Sequence, residues 1–136
     1  MDAQEIIEQL KLVRHPGGGW FIPSYRAGTN PTRSDISSIY YLLEAGEVLP
    51  WRKLTAHEIW HFYDGAPVEL STERTRRTEP ELRILGRDLR GGQRPQIAVP
   101  AYHWQSARTL GPWSLVGCDV APGFAFGLTQ IATDNA

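Results

Sequence analysis

Four histidines, His15, His57, His61 and His103, are the side chains best suited to proton transfer or metal binding near neutral pH, and two of them flank a carboxylate, Glu58. His57 and His61 stand four positions apart, a spacing that would put them on one face of a helix. The run Ile59-Trp60-His61-Phe62-Tyr63 is rich in β-formers, so the spacing is read on a strand instead. Side chains alternate across a strand. An inward Glu58 therefore takes Trp60 and Phe62 inward with it, and His57 and His61 face away. That makes Glu58 a candidate general acid or base and His61 a structural or interface residue. His57, at the start of the strand, stays within reach of a pocket mouth. No two histidines are separated by a single residue anywhere in the chain. Cys118 is the one cysteine, which excludes an internal disulfide and a cysteine-based zinc site. With Val116 and Gly117 before it, it reads as a buried small hydrophobe. Arg74, Arg76 and Arg77 fall in the charged stretch from Glu73 to Glu81, which reads as a solvated hairpin loop; a phosphate or acidic-ligand site there is the sharper alternative.

The elements that would carry these groups are mostly short strands. The chain has 136 residues, the size of one domain spanning 1–136, and enough to bury a core without covalent staples. At Ile6, Ile7, Leu10, Leu12 and Val13 the apolar spacing predicts a short helix over 3–13, ending before Pro16-Gly17-Gly18-Gly19. Beyond it, apolar segments alternate with turn residues. They are Trp20–Ile22, Ser37–Leu43, Ile59–Tyr63 closed by Asp64-Gly65, Val68–Thr72, Arg83–Leu85, Gln96–Val99 and Trp113–Val120, followed by Phe124-Ala125-Phe126. Thirteen Gly and ten Pro suit a chain that turns this often, and the pattern predicts a sandwich or barrel. The formal net charge of -1 gives no pull toward nucleic acid or an anionic membrane. No stretch approaches the ~20 apolar residues of a membrane span. The acidic start Met1-Asp2-Ala3-Gln4-Glu5 has no apolar leader, so the expected setting is the cytoplasm.

Several segments, in order, resemble one family. They are His15-Pro16-Gly17-Gly18-Gly19-Trp20-Phe21, Ser38–Val48, Trp51-Arg52-Lys53 with Glu58–Gly65, Val99–Ala107 and Trp113–Phe124. Together they are similar to small single-domain members of the cupin superfamily. The resemblance covers roughly residues 10 to 130 and implies an all-β fold, the double-stranded β-helix or jelly roll, here with a short N-terminal helix. It also implies a homodimer. The general cupin metal pattern is two His spaced by one residue, a later Glu and a Gly, then a distant His. Laid on this chain it puts the Glu at Glu58 and the Gly at Gly65, but Arg52, Leu54 and Gln105 at the three His positions. Arg stays protonated and Leu has no donor atom, so the mapping implies no standard metal site and no cofactor. Relatives commonly carry His where Arg52 stands and Glu where Gly17 stands, so activities that depend on those groups are in question here.

The same mapping places Arg52, Glu58, Trp60, Phe62, Tyr41, Trp104 and Gln105 in the barrel interior. One carboxylate, one fixed cation, an amide and aromatic walls make a small-molecule site. Glu58, His57 and Arg52 are then the candidate catalytic groups, and Tyr41, Trp60, Phe62, Trp104, Gln105 and His103 the candidate ligand contacts. Arg52 either holds an anionic oxygen of the ligand or simply neutralises Glu58 as a buried ion pair. Three functions follow. The first is metal-independent acid/base chemistry on a small molecule (isomerase, epimerase, cyclase or lyase type). The second is a barrel that binds a sugar or organic acid unchanged. The third is a metal enzyme with an unusual ligand set, Glu58 with His57 or His103. A fold that hosts many chemistries does not choose among them. The expected partner is a small molecule, with no nucleic acid and no membrane.

Overall fold

The computed structural model describes residues 1–30, 32–75, 79–125 and 128–132. One helix, α1 (Ala3–Leu10), precedes eleven strands. These are β1 (Val13–Arg14), β2 (Trp20–Ala27), β3 (Ile36–Glu44), β4 (Arg52–Leu54), β5 (His57–Gly65), β6 (Val68–Glu73), β7 (Glu81–Leu85), β8 (Gln96–Val99), β9 (Trp104–Thr109), β10 (Trp113–Ala121) and β11 (Thr129–Ile131). They form two antiparallel sheets, ordered β1-β2-β3-β10-β5-β8 and β11-β4-β9-β6-β7. Two sheets with this crossing order are the jelly roll that the sequence implies.

Alternation along the strands builds the core between the sheets. Tyr41, Leu43, Trp60, Val68, Leu70, Leu85, Val99, Ala107, Val116 and Cys118 face one another there, each no more than 2% exposed. Neighbouring residues point outward, and sheet packing of this kind is a close-packed interior with strict in/out alternation. A second cluster lies on the outer side of the larger sheet, where Ile6, Ile7 and Leu12 pack on Leu42 with Trp20, Trp113 and Leu115 at its rim. That cluster is why the helix exists at all: eight residues are too few to be helical alone. Asp2 caps it, accepting from the Glu5 amide at 2.9 Å while the Glu5 side chain reaches back to the Asp2 amide. The helix is shorter than its apolar spacing predicts. Lys11 turns left-handed (φ 59°), and Val13 leaves to start β1.

The β5–β6 connection is as tight as Asp64-Gly65 foretells. Gly65 has φ +85°, and a Cβ there would stand 2.6 Å from both the ring and the carbonyl oxygen of Trp113. The charged stretch joins β6 to β7, which pair antiparallel from Val68↔Leu85 to Thr72↔Glu81. Arg74 is exposed. Arg76 and Arg77, of the phosphate alternative, and Phe126 lie outside the described residues. Among the described residues no helix is long and apolar enough to cross a membrane.

Candidate functional site

Glu58 enters the interior from β5 with 3% of its surface exposed, and its neighbours His57 and Ile59 point away. The carboxylate has two partners from the opposite sheet. Gln105 on β9 donates from Nε2 to Oε1 at 2.7 Å, and Nη2 of Arg52 on β4 stands 3.9 Å from Oε2. Arg52 and Gln105 are register partners on adjacent strands, so both inward side chains reach Glu58 side by side. The Gln105 amide cannot turn round: Trp60 Nε1, a donor only, occupies Oε1 at 2.9 Å. Trp60 thus fixes Gln105, and Gln105 presents a donor to Glu58.

Arg52 is 4% exposed. Burial works against its charge, but Glu58, Tyr41 and Cys118 outweigh that and raise its pKa, so the guanidinium is held as a cation. Tyr41 lies beside it and donates its hydroxyl to the Gly18 carbonyl at 2.5 Å; burial pushes the phenol pKa up. Cys118 is 1% exposed beside Glu58, and burial followed by the Glu58 charge keeps it a thiol.

These groups line a cavity. Its inner chamber, about 340 Å³ including its mouth, is walled by His15, Phe21, Ile39, Val120 and Phe124, with Arg52, Glu58 and Cys118 at its polar side. An outer chamber of about 430 Å³ shares His15, Arg52 and Phe124 with it and adds Gly17, Thr129 and Ile131. Both figures count the open solvent at the mouths; the inner chamber itself has room for a water or two, about 30 Å³, against about 140 Å³ in the outer one. His15 projects from the Gly-rich turn between β1 and β2, which Glu47 pins by accepting from the Gly19 amide at 3.0 Å. The His15 Nδ1 accepts from the Gly17 amide at 2.9 Å. Burial, then the Arg52 charge, lowers its pKa from 6.5 to about 4, so it sits in the wall as neutral imidazole.

The structure therefore brings together Arg52, Glu58, Gln105, Trp60 and Tyr41. It does not bring Trp104, His103 or His57 to them. Trp104 and Gln105 are consecutive on β9, so only one can face inward; Gln105 does, and Trp104 lies on the outer face under the Lys53 ammonium at 5.3 Å. His103 lines a separate depression with Thr72, Glu73 and Glu81. His57 is exposed and accepts from the Ala101 amide at 3.1 Å. His61 is on the outer face, 2.7 Å from Asp119. Phe62 packs against the core from its rim, with Arg87 over its ring. Sequence reading gives His15 no role in the site, names Gly17 only as a position where relatives carry Glu, and passes over the apolar walls. The signal for His15 was its place next to three glycines in a family-like segment.

The donor set around Glu58 does not fit a metal ion. Arg52 puts a fixed positive charge 3.9 Å from the carboxylate, Leu54 has no donor, and His57 and His103 are elsewhere. Among the described residues no group of three His, Cys, Asp or Glu is placed to share an ion.

Comparison with known proteins agrees with this fold. A family model described as "Cupin superfamily (DUF985)" matches residues 4–132. Protein SO0799 from Shewanella oneidensis is 37% identical, with a TM-score of 0.91 over 97% of this chain and 85% of that one. A hypothetical protein from Leishmania major is 24% identical, with a TM-score of 0.87 over 98% and 88%. Oxalate decarboxylase from Bacillus subtilis, 13% identical with a TM-score of 0.67 over 89% of this chain and 30% of that one, shares the fold. No curated protein matches the chain.

Proposed function

The chain belongs to the Cupin superfamily (DUF985) family, and on that footing we propose that its barrel transforms a small molecule by metal-independent acid/base chemistry centred on Glu58. One observation carries the reading. A carboxylate 3% exposed forms the polar side of a cavity, held by a fixed amide at 2.7 Å with a guanidinium at 3.9 Å. A base so oriented takes a proton from a carbon next to a carbonyl, and Arg52 balances the negative charge that develops on the oxygen. Returning the proton to the other face or to a neighbouring carbon gives an epimer or an isomer. No oxidant or reductant is needed.

The engagement of Glu58 by Gln105 and Arg52 favours a second reading, a barrel that binds an organic acid or sugar without changing it. One experiment separates the two. Metabolite extracts are incubated with the wild type, with Glu58→Gln, and with wild type plus chelator, and read by mass spectrometry. The acid/base reading expects a metabolite consumed by wild type, with or without chelator, and spared by Glu58→Gln. A ligand retained and recovered unchanged supports the second reading, and turnover by Glu58→Gln sinks the first. The homodimer and the cytoplasmic setting belong to the same proposal; light scattering on the purified chain tests the dimer.

A further inference from the structure

Arg52 serves two chambers with different electrostatics. On the inner side it meets Glu58 through one nitrogen at 3.9 Å, well outside the 2.7–2.9 Å of a bidentate pair. On the outer side it is the one formally charged side chain among the described residues lining the chamber, since His15 is neutral there. Gly17 forms the facing wall. Its backbone is not in the left-handed region, so the fold does not demand glycine for conformation. A Cβ at that position would stand 3.9 Å from Nη1 of Arg52 and 3.2 Å from Nδ1 of His15. The position is therefore closed on the His15 side, where the ring would have to give by a few tenths of an ångström, and opens only toward the guanidinium nitrogen. Phe124 and Ile131 give the chamber apolar walls toward its mouth. A cation half-engaged by its own carboxylate, facing apolar walls, selects a small anion with an apolar body.

We propose that the outer chamber takes the carboxylate of a small carboxylic acid, held by Nη1 of Arg52 on the side where that guanidinium faces Gly17. This rests on the reading of the interior as a small-molecule site and names its substrate class. The carboxylate at Nη1 leaves the adjoining carbon directed toward the inner chamber, where Glu58 is the base. Gly17 is then a specificity-determining position: a carboxylate there would take the place of the ligand's own.

The probes are benzoate and benzamide, which share a shape and differ in charge. They are titrated into the full chain and followed by tryptophan fluorescence and ¹H–¹⁵N chemical shifts. Benzoate binds about tenfold or more tighter than benzamide, the step expected when a charged partner is lost. Gly17→Asp removes that preference, and Gly17→Ala keeps it. Thr129→Asp, on a different wall, brings the same negative charge from another strand and removes the preference too, which covers the case where Gly17→Asp fails to fold. Glu58→Gln, folded by circular dichroism, still binds benzoate, because the anion site is Arg52; this arm holds whether or not Glu58 turns over a substrate. Equal binding of the two probes, no binding of benzoate at millimolar concentration, loss of benzoate binding in folded Glu58→Gln, or an unaltered preference in a folded Asp variant overturns the proposal.

Discussion

Arg52 and Glu58 belong to opposite sheets and meet inside the barrel at 3.9 Å, both almost fully buried. The pair bridges the two layers where apolar contacts would otherwise do so. Its energetic worth is the balance of a desolvation cost and an attraction in a low-dielectric interior, so removing one partner is worse than removing both. Arg52→Gln and Glu58→Gln are each expected to cost about 3 kcal/mol, because each leaves one buried charge uncompensated. The double variant is expected to cost less than the sum of the singles by at least about 1 kcal/mol. Urea denaturation of the four proteins measures the cycle; additive losses would mean that the residues do not interact.

The Trp60 indole fixes the direction of the Gln105 amide, and this makes a prediction that needs no substrate. In the wild type the Gln105 side-chain NH₂ is buried and bonded to Glu58, so its two proton signals are expected to be sharp and slow to exchange with water. Trp60→Phe removes the donor, and the amide is then free to present its oxygen to Glu58. Those signals are expected to broaden and exchange faster, with a stability loss of about 1–3 kcal/mol for the lost bond and volume. An unchanged Gln105 amide in folded Trp60→Phe would show that Trp60 does not orient it.

The residues that were legible in the sequence, and those that were not, divide along a physical line. Glu58 and Trp60 were readable because β5 alternates strongly and one face is apolar. Strands β4 and β9 are not readable from pattern, because the residues they send inward are polar; only the family mapping puts Arg52 and Gln105 inside, where Glu58 on another strand partners both. The same mapping puts Trp104 inside beside Gln105, although consecutive strand residues face opposite ways, and its ring is covered from outside by Lys53. The chamber walls His15, Gly17, Phe124 and Ile131 come from turns and chain ends distant in sequence, and only closure of the barrel brings them together. Family-like segments identified the fold, since its constraints are spread along the chain. They also carried the inward residues Arg52, Glu58, Trp60, Tyr41 and Gln105, but not the pairings among them.

Gly65 is required by both conformation and space. At φ +85° any other residue is strained, and the added Cβ meets the Trp113 carbonyl oxygen, which accepts from the adjacent Ala66 amide at 2.8 Å and cannot withdraw freely. Gly65→Ala is expected to cost about 2–4 kcal/mol, the sum of backbone strain and overpacking. Thermal denaturation checks it. A loss within about 0.5 kcal/mol, the range of ordinary surface substitutions, would refute the argument.

His15 gives the protein a defined pH response. Its imidazole is 8% exposed, and burial, then the Arg52 charge, lowers its pKa from 6.5 to about 4. Above pH 6.5 the ring is neutral in both folded and unfolded chains and contributes no pH dependence. As pH falls below 6.5 the unfolded chain takes up the proton first, and the folded protein resists it until about pH 4. The unfolded state binds more protons across that window, so stability rises with pH there and is lost as pH falls. A shift of this size corresponds to roughly 3 kcal/mol when the whole window is crossed. His15→Asn keeps an acceptor for the Gly17 amide but does not titrate. Its denaturation curve is expected to lose the slope between pH 4 and 6.5 that wild type shows, and to run parallel to wild type above pH 6.5. Direct titration of the His15 ring by ¹H–¹⁵N NMR is the complementary measurement. A ring that becomes protonated near pH 6.5 in the folded protein would show that the wall of the site is cationic at mildly acid pH, and wild type and His15→Asn would then run parallel between pH 4 and 6.5 as well.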